Sequence, residues 1–309
     1  MKRLTDHLQD FLEHKRSLNH SDHTLRAYRN NISRFVRWLH ETHDVATPEQ
    51  IRTDHLLDWH RYLGRLRTPK GLPLRPSSIN KNIENTRQLI GYLVKKGLVN
   101  PRLSDALEYV REPELLPTSV LTHAQVKKLI GKIPLDSPVG YRDRTMVETI
   151  YSTGIRVAEL LSLDIPHVDV RNATAIVMGK GSRQRVVPIG KTALKYLETY
   201  LKAIRPFLVQ ENTDQALFLN KDGKRVHYHM FLKIIHQYAK AAKLDINVTP
   251  HTFRRSCTTE LFRSGANIYH VKELLGHRNL NTLHRYTKLT ITDLKKTHEK
   301  CHPRERDHS

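Results

Sequence analysis

With 309 residues and 38% apolar side chains, the chain is long enough for two domains that each bury a core. Its 52 Lys and Arg against 31 Asp and Glu leave a net charge of +21, well beyond the roughly 2–8 that solubility alone asks of a small domain, so a polyanionic partner such as nucleic acid is expected. No run approaches the roughly 18 apolar residues of a membrane span, and two cysteines, Cys257 and Cys301, make neither a disulfide framework nor a zinc site.

The first residues, Met1-Lys2-Arg3-Leu4-Thr5-Asp6, meet charge at once and lack the apolar stretch of a secretory leader, so a cytoplasmic protein is expected. Periodicity predicts helices over 4–18 and 22–42, the second capped by Ser21 or Asp22 and apolar at Leu25, Tyr28, Ile32, Phe35, Val36 and Leu39. Its facing stripe of Arg26, Arg29, Arg34 and Arg37 suits phosphate contact or a plain solvated face. A third helical region spans 48–66, with Leu56, Leu57, Trp59 and Leu63 as its apolar positions, and 68–73 is a loop by its Pro and Gly. A fourth helix over 77–96 carries Ile79, Ile83, Ile90 and Leu93 and ends at Gly97. This gives an all-α, four-helix N-terminal unit over 1–110. Two prolines and no periodicity mark 111–119 as a linker to a second domain over 120–309. Residues 1–119 hold 20 basic and 14 acidic side chains and residues 120–309 hold 32 and 17, so both parts are positive, as a clamp around a duplex would need.

In the second domain, Thr122-x-x-Gln125 is a capping box that opens a helix over 126–130. A helix over 141–152 stops at Gly154, and Arg156 follows in a new helix through Leu163. The stretches 173–178 and 184–188 read as strands joined by a tight loop, Gly179-Lys180-Gly181-Ser182-Arg183. From Thr192 onward the pattern is helical again, apart from a short extended piece at 217–219. The fold class is therefore mainly α with a small β-sheet (α+β). His227-Tyr228-His229, read as an extended loop, has the look of a metal pair, but polar, phosphate or base contact suits it equally, and no metal is assigned. The lysine loop lacks the G-x-x-x-x-G-K-[ST] spacing of a nucleotide cradle, and no acidic cluster suggests a two-metal nuclease, so no cofactor is expected.

The stretch most able to do chemistry lies near the C-terminus. His251 and Arg254 are three apart and share one face of a helix. Gly276 suits the position just past a helix end, which leaves His277 in the following turn, and Tyr286 comes nine residues later. Upstream, Arg156 adds a second guanidinium and Lys180 an ammonium. Two guanidiniums match the charge that gathers on the non-bridging oxygens of a phosphodiester under attack. Any one of these residues alone is more simply a surface, turn or packing residue.

Taken in order, Arg156, Lys180, His251, Arg254, His277 and Tyr286 resemble the tyrosine recombinase (phage integrase) family, and their spacing looks most like its Xer subgroup. The resemblance implies a SAM-like core-binding domain followed by a catalytic domain. It implies a reaction in which Tyr286 attacks the scissile phosphorus and forms a 3′-phosphotyrosine, without metal or ATP. On this reading His251 takes the phenolic proton, since a free phenol near pKa 10 needs a base. His277 donates to a phosphate oxygen, Lys180 protonates the departing 5′-hydroxyl, and Glu159 supports Arg156. Arg183 and Arg255 join the α-helical arginines as expected DNA contacts. The family further implies a homotetramer, with or without a partner recombinase, on two DNA sites built from inverted repeats. It also implies a tail over 290–300 that docks on the neighbouring protomer, while the arm-binding domain that larger phage integrases carry is not expected in this chain. Arg255 stands where the family often has a second histidine, and Arg278-Asn279 where it often has Ser or Asp. These departures tilt the expected role toward integration, excision or transposition of a mobile element, with Xer-type dimer resolution as the alternative. An accessory DNA-binding protein with lapsed catalysis, or a relaxing enzyme of the type IB topoisomerase kind, stays open beside them.

Overall fold

The structure, a computed structural model, describes residues 2–113, 120–179, 184–211 and 213–276. The chain divides into two compact units between Glu114 and Leu115, each with its own apolar core.

In the first unit, α1 (Leu4–Ser17), α2 (Asp22–His43), α3 (Thr53–Arg65) and α4 (Pro76–Lys95) form where the apolar spacing puts them. The Ser21 hydroxyl caps α2 by accepting from the Thr24 N–H at 3.4 Å. All six apolar positions expected on α2 are buried, and they pack toward α1 and α4. Arg26, Arg29, Arg34 and Arg37 are exposed on the other side of the helix, with Arg34 also donating to Asn82 Oδ1 at 3.2 Å. Gly97 takes φ +71° just past α4, and the Leu98 N–H returns to the Leu93 carbonyl, closing the helix end.

The third helical region departs from expectation. Gln50 Oε1 accepts from the Ala46 and Thr47 N–H groups at 2.8 and 2.9 Å, which stabilises a single 3-10 turn at Pro48–Gln50. Ile51 is then extended and buried, and α3 begins afresh with the Arg52 N–H on His55 Nδ1. Leu57 is exposed, because Leu56, Trp59 and Leu63 already fill the inward stripe of α3. A 3-10 turn at Pro101–Ala106, not anticipated, carries Leu103 into the core. Of the predicted linker, residues 111–113 are exposed and the rest lies outside the described residues.

The second unit runs α5 (His123–Ile130), α6 (Pro138–Thr153), α7 (Val157–Leu161), β1 (Val168–Asp169), β2 (Thr174–Met178), β3 (Gln184–Pro188), α8 (Lys191–Thr199), α9 (Tyr228–Ala241), α10 (Pro250–Arg263) and α11 (Ile268–Leu275). The Thr122–Gln125 capping box forms as expected, at 2.9 and 3.2 Å. α6 is the central helix and packs against α8 and α10. At its start Arg142 is fully buried, donates to the Leu219 carbonyl at 2.6 Å and pairs with Asp143. Burial still holds the Asp143 carboxyl above its ordinary value, against the pull of Arg142 and of the Tyr238 hydroxyl. The sheet has the order β1-β2-β3, antiparallel throughout, with Thr174 opposite Pro188 and Met178 opposite Gln184. β1 is a two-residue strand with no sequence signal of its own. Ala173 is not part of β2, because it sits at φ +52° and turns the chain into the strand.

Two further expectations are corrected. Arg156 is the cap of α7 rather than a residue within it, and the helix ends at Leu161. His227 caps α9, its Nδ1 accepting from the Met230 N–H at 3.3 Å, so Tyr228 and His229 lie in a helical turn and the histidines do not alternate along an extended loop. Among the described residues no group of three or more His, Cys, Asp or Glu side chains is placed to hold a metal, and no helix is long and apolar enough to cross a membrane.

Candidate active site

α6 ends in a crowded place. Gly154 takes φ +62°, and a Cβ there would lie 2.8 Å from Leu275 Cδ2 and 3.3 Å from Cys257 Sγ. Only a glycine lets the chain leave α6 this close to α10 and α11. Burial pushes the Cys257 thiol up to about 11, so it packs as a neutral apolar group. Ile155 is fully buried and pins the turn, which delivers Arg156 to the start of α7.

Three residues later Glu159 folds back on that start. Its carboxylate is 4% exposed and accepts four hydrogen bonds of 2.8–2.9 Å, two from Arg156 (backbone N–H and Nη1) and two from Arg185 (Nη1 and Nη2). Burial alone would raise this carboxyl. The paired donors from Arg185 and Arg156 outweigh it and hold the group below the usual carboxylate range. Glu159 is thus an anion at neutral pH.

Three guanidiniums meet the C-terminal end of α11. Arg185 Nε donates to the Leu274 carbonyl at 3.1 Å, Arg254 Nη2 to Leu275 at 2.7 Å, and Arg156 Nη2 to Gly276 at 3.1 Å. Arg156 Nη1 also reaches the Leu275 oxygen at 3.5 Å, so that one oxygen sits between both guanidiniums. The last carbonyls of a helix have no intrahelical donors and carry its negative end, which is why cations gather there. Gly276 ends α11 at φ +63°, and a Cβ on it would come within 3.0 Å of the Arg185 guanidinium.

α10 brings the remaining described residues. Thr249 and Pro250 start it, with the Thr249 N–H on Thr252 Oγ1 at 3.0 Å. Arg254 is buried and donates through Nη1 to the Gly154 carbonyl at 2.8 Å, tying α10 to the end of α6. Burial, with Arg156 close by, pushes its guanidinium down to about 10, so it stays cationic at neutral pH. His251 lies on the outer side of the first turn and is exposed as a residue. Partial desolvation of the ring lowers its imidazole below the ordinary value, and the positive charges of Arg254, Arg255 and Arg156 lower it further. The neutral, proton-accepting form is favoured.

The structure therefore brings Arg156, Glu159, His251 and Arg254 together, with Arg255 exposed on the same helix. Lys180, Arg183, His277 and Tyr286 lie outside the described residues, as does the stretch 290–300. Arg185 is the residue that sequence reasoning missed. Its signal was available: in β3 it shares the inward face with Val187, and a charged side chain on that face needs a buried partner. Arg156 keeps 37% of its side chain exposed, so this basic, rigidly hydrogen-bonded concentration can still meet an anion from solvent. Two forked cations with a neutral imidazole beside them suit stabilisation of a phosphoryl group while a proton is removed from a nucleophile.

Residues 119–292 match the phage integrase family, and residues 6–97 match the phage integrase N-terminal SAM-like domain. Tyrosine recombinase XerD of Staphylococcus epidermidis is 32% identical over 98% of this chain and 100% of its own length. Tyrosine recombinase XerD of Pseudomonas aeruginosa is 33% identical over 92% of each. Among solved structures, the XerH site-specific recombinase bound to difH substrate superposes with a TM-score of 0.70 at 21% identity, covering 93% of this chain and 82% of that one. The Tn1549 transposon integrase in complex with transposon right-end DNA superposes with a TM-score of 0.69 at 20% identity, covering 96% and 99%.

Proposed function

The chain belongs to the phage integrase family and is by that membership a tyrosine-type site-specific recombinase; from that premise we propose that it cuts and rejoins DNA through a covalent tyrosine intermediate. Tyr286 Oη bonds to the scissile phosphorus as the bond from phosphorus to the 5′-oxygen breaks, leaving a 3′-phosphotyrosine. His251 takes the phenolic proton, and Lys180 supplies one to the departing 5′-oxygen. Arg156 and Arg254 stabilise charge on the non-bridging oxygens, and His277 donates to one of them. The bond energy stays in the phosphotyrosine, so attack by a 5′-hydroxyl of another strand reseals it without ATP.

One observation supports this reading above all: Arg156 and Arg254, from segments far apart in the chain, converge on the Leu275 carbonyl oxygen and so stand within reach of one phosphate. Duplex DNA with inverted repeats is the proposed substrate, bound by two protomers per site and four per synapse. For the biological role we favour integration, excision or transposition of a mobile element, on the strength of Arg255 and Arg278-Asn279. Xer-type dimer resolution is the second reading, favoured by the identity to XerD relatives over nearly the whole chain.

The test uses nicked duplexes made from the inverted repeats that flank the gene, and from the host's dimer-resolution site, in EDTA. The nick lets the cleaved fragment leave and traps the adduct. A 3′ adduct that forms with the wild type and is lost in Tyr286→Phe is expected, and the duplex that supports it assigns the role. Tight binding with no adduct on either duplex would instead leave an accessory DNA-binding protein.

A further inference from the structure

Arg185 has no part in the proposed chemistry, yet its guanidinium joins three segments of the second unit. It stands on β3, paired with Val177 of β2. It grips both oxygens of Glu159 on α7 at 2.9 and 2.8 Å, and its Nε holds the Leu274 carbonyl of α11 at 3.1 Å. Its side chain is 16% exposed. The space it fills exists because residue 276 has no side chain, since a Cβ there would lie 3.0 Å from Arg185 Cζ.

The geometry makes Arg156 depend on this clamp. Glu159 Oε1 accepts from Arg156 Nη1 and from Arg185 Nη1, while Oε2 accepts from the Arg156 N–H and from Arg185 Nη2. Without Arg185 the carboxylate keeps only donors from Arg156 and can turn about its own axis. The α11 end would also lose the donor on Leu274, next to the carbonyls that Arg156 and Arg254 share. A lysine cannot replace the clamp, because a single ammonium cannot span two carboxylate oxygens and a carbonyl in fixed geometry.

We propose that Arg185 is a positioning residue for strand cleavage: it fixes Glu159, and through it the Arg156 guanidinium, against the end of α11. This rests on the recombinase reading above. In this role Arg185 acts through Glu159 and Arg156.

The experiment uses the full chain and the nicked duplex on which the wild type forms its adduct. If the wild type forms none, the recombinase reading has failed, and the result says so before any variant is compared. Arg185→Lys keeps a cation beside Glu159, and Arg185→Met removes it. Both are assayed for single-turnover cleavage at saturating DNA, for Kd, and for Tm. Arg185→Lys is expected to lower the cleavage rate by about 10–100-fold, the size of effect that a misplacement of about 1 Å produces, with Kd changed less than about threefold. A second readout separates positioning from general loosening. Replacing one non-bridging oxygen of the scissile phosphate by methyl removes the charge that Arg156 offsets, so the deficit of Arg185→Lys should shrink on that substrate. The pair Arg185→Met with Glu159→Gln should lose no more than the worse single variant, because the two act as one unit. Cleavage at the wild-type rate by Arg185→Lys, or a deficit that is unchanged on the methylated phosphate, would overturn the proposal.

Discussion

A histidine on the first turn of a helix, ringed by arginines, is a poor place to keep a proton. The N-terminal end of α10 carries the positive pole of its dipole, and His251 is lowered by desolvation and by Arg254, Arg255 and Arg156. Because the folded value is depressed, the ring remains neutral to a lower pH than in the unfolded chain. Its contribution to stability is present above the ordinary imidazole value and is lost as pH falls through the folded one. With His251 as the base proposed above, the same shift would set the acid limb of catalysis, since kcat/KM reports ionisations of the free enzyme. The cleavage rate at limiting DNA should therefore hold down through the ordinary imidazole range and fall only below about pH 6.5. Arg255→Gln removes one of the named charges and should move that limb upward. A limb already above the ordinary value in the wild type would exclude His251 as the base. Glu159 behaves in parallel at lower pH: its depressed carboxyl stabilises the fold above the ordinary carboxylate range and ceases to do so as pH falls through its folded value.

At the scale of elements, the site depends on where helices stop. Gly154 and Gly265 both hold positive φ, +62° and +80°, but a Cβ at 265 meets nothing within 4 Å whereas one at 154 runs into Leu275 and Cys257. Gly265→Ala carries backbone strain alone, on the order of 1 kcal/mol. Gly154→Ala adds the clash and should cost about 1–3 kcal/mol, a fall of roughly 2–10 °C in the Tm of this unit. It should also slow cleavage, because the same turn aims Arg156. Equal losses in calorimetry for the two variants would mean that the packing around Gly154 can relax. The stops at Gly97, Gly154 and Gly276 were legible in the sequence, as were the six buried positions of α2 and the Thr122–Gln125 cap, because local spacing and cap chemistry determine them. The break at Ile51 was not, since it turns on Gln50 reaching back to two N–H groups while Ile51 fills the core. His227 was misread for a related reason: its ring serves as a cap, which is a rare use of a histidine. Within the site, residue types in order announced Arg156, His251 and Arg254. The strand pattern could place Arg185 on the inward face of β3, but its partner Glu159 lies on α7, a non-local pairing that local spacing does not announce.

At the scale of the whole molecule, charge is the property that the two units share. Both are net positive, and the first unit presents Arg26, Arg29, Arg34 and Arg37 on the exposed side of α2. Arg34 already has a partner in Asn82, so Arg26, Arg29 and Arg37 are the better tests of whether this face meets DNA. An arginine that neutralises a phosphate releases condensed counterions, and each such contact steepens the fall of log K with log salt by about 0.9. The triple change to glutamine should weaken duplex binding alike for matched and scrambled sequences, since phosphate contacts carry no base information. The salt slope should become shallower by about 0.9 for each of the three that meets a phosphate, up to about 2.7. Binding measured across a salt series checks this directly. A slope equal to that of the wild type would make the α2 stripe an ordinary solvated face and move the duplex contacts of this unit elsewhere. A shallower slope with discrimination between sequences intact would separate the residues that hold the duplex from those that read it.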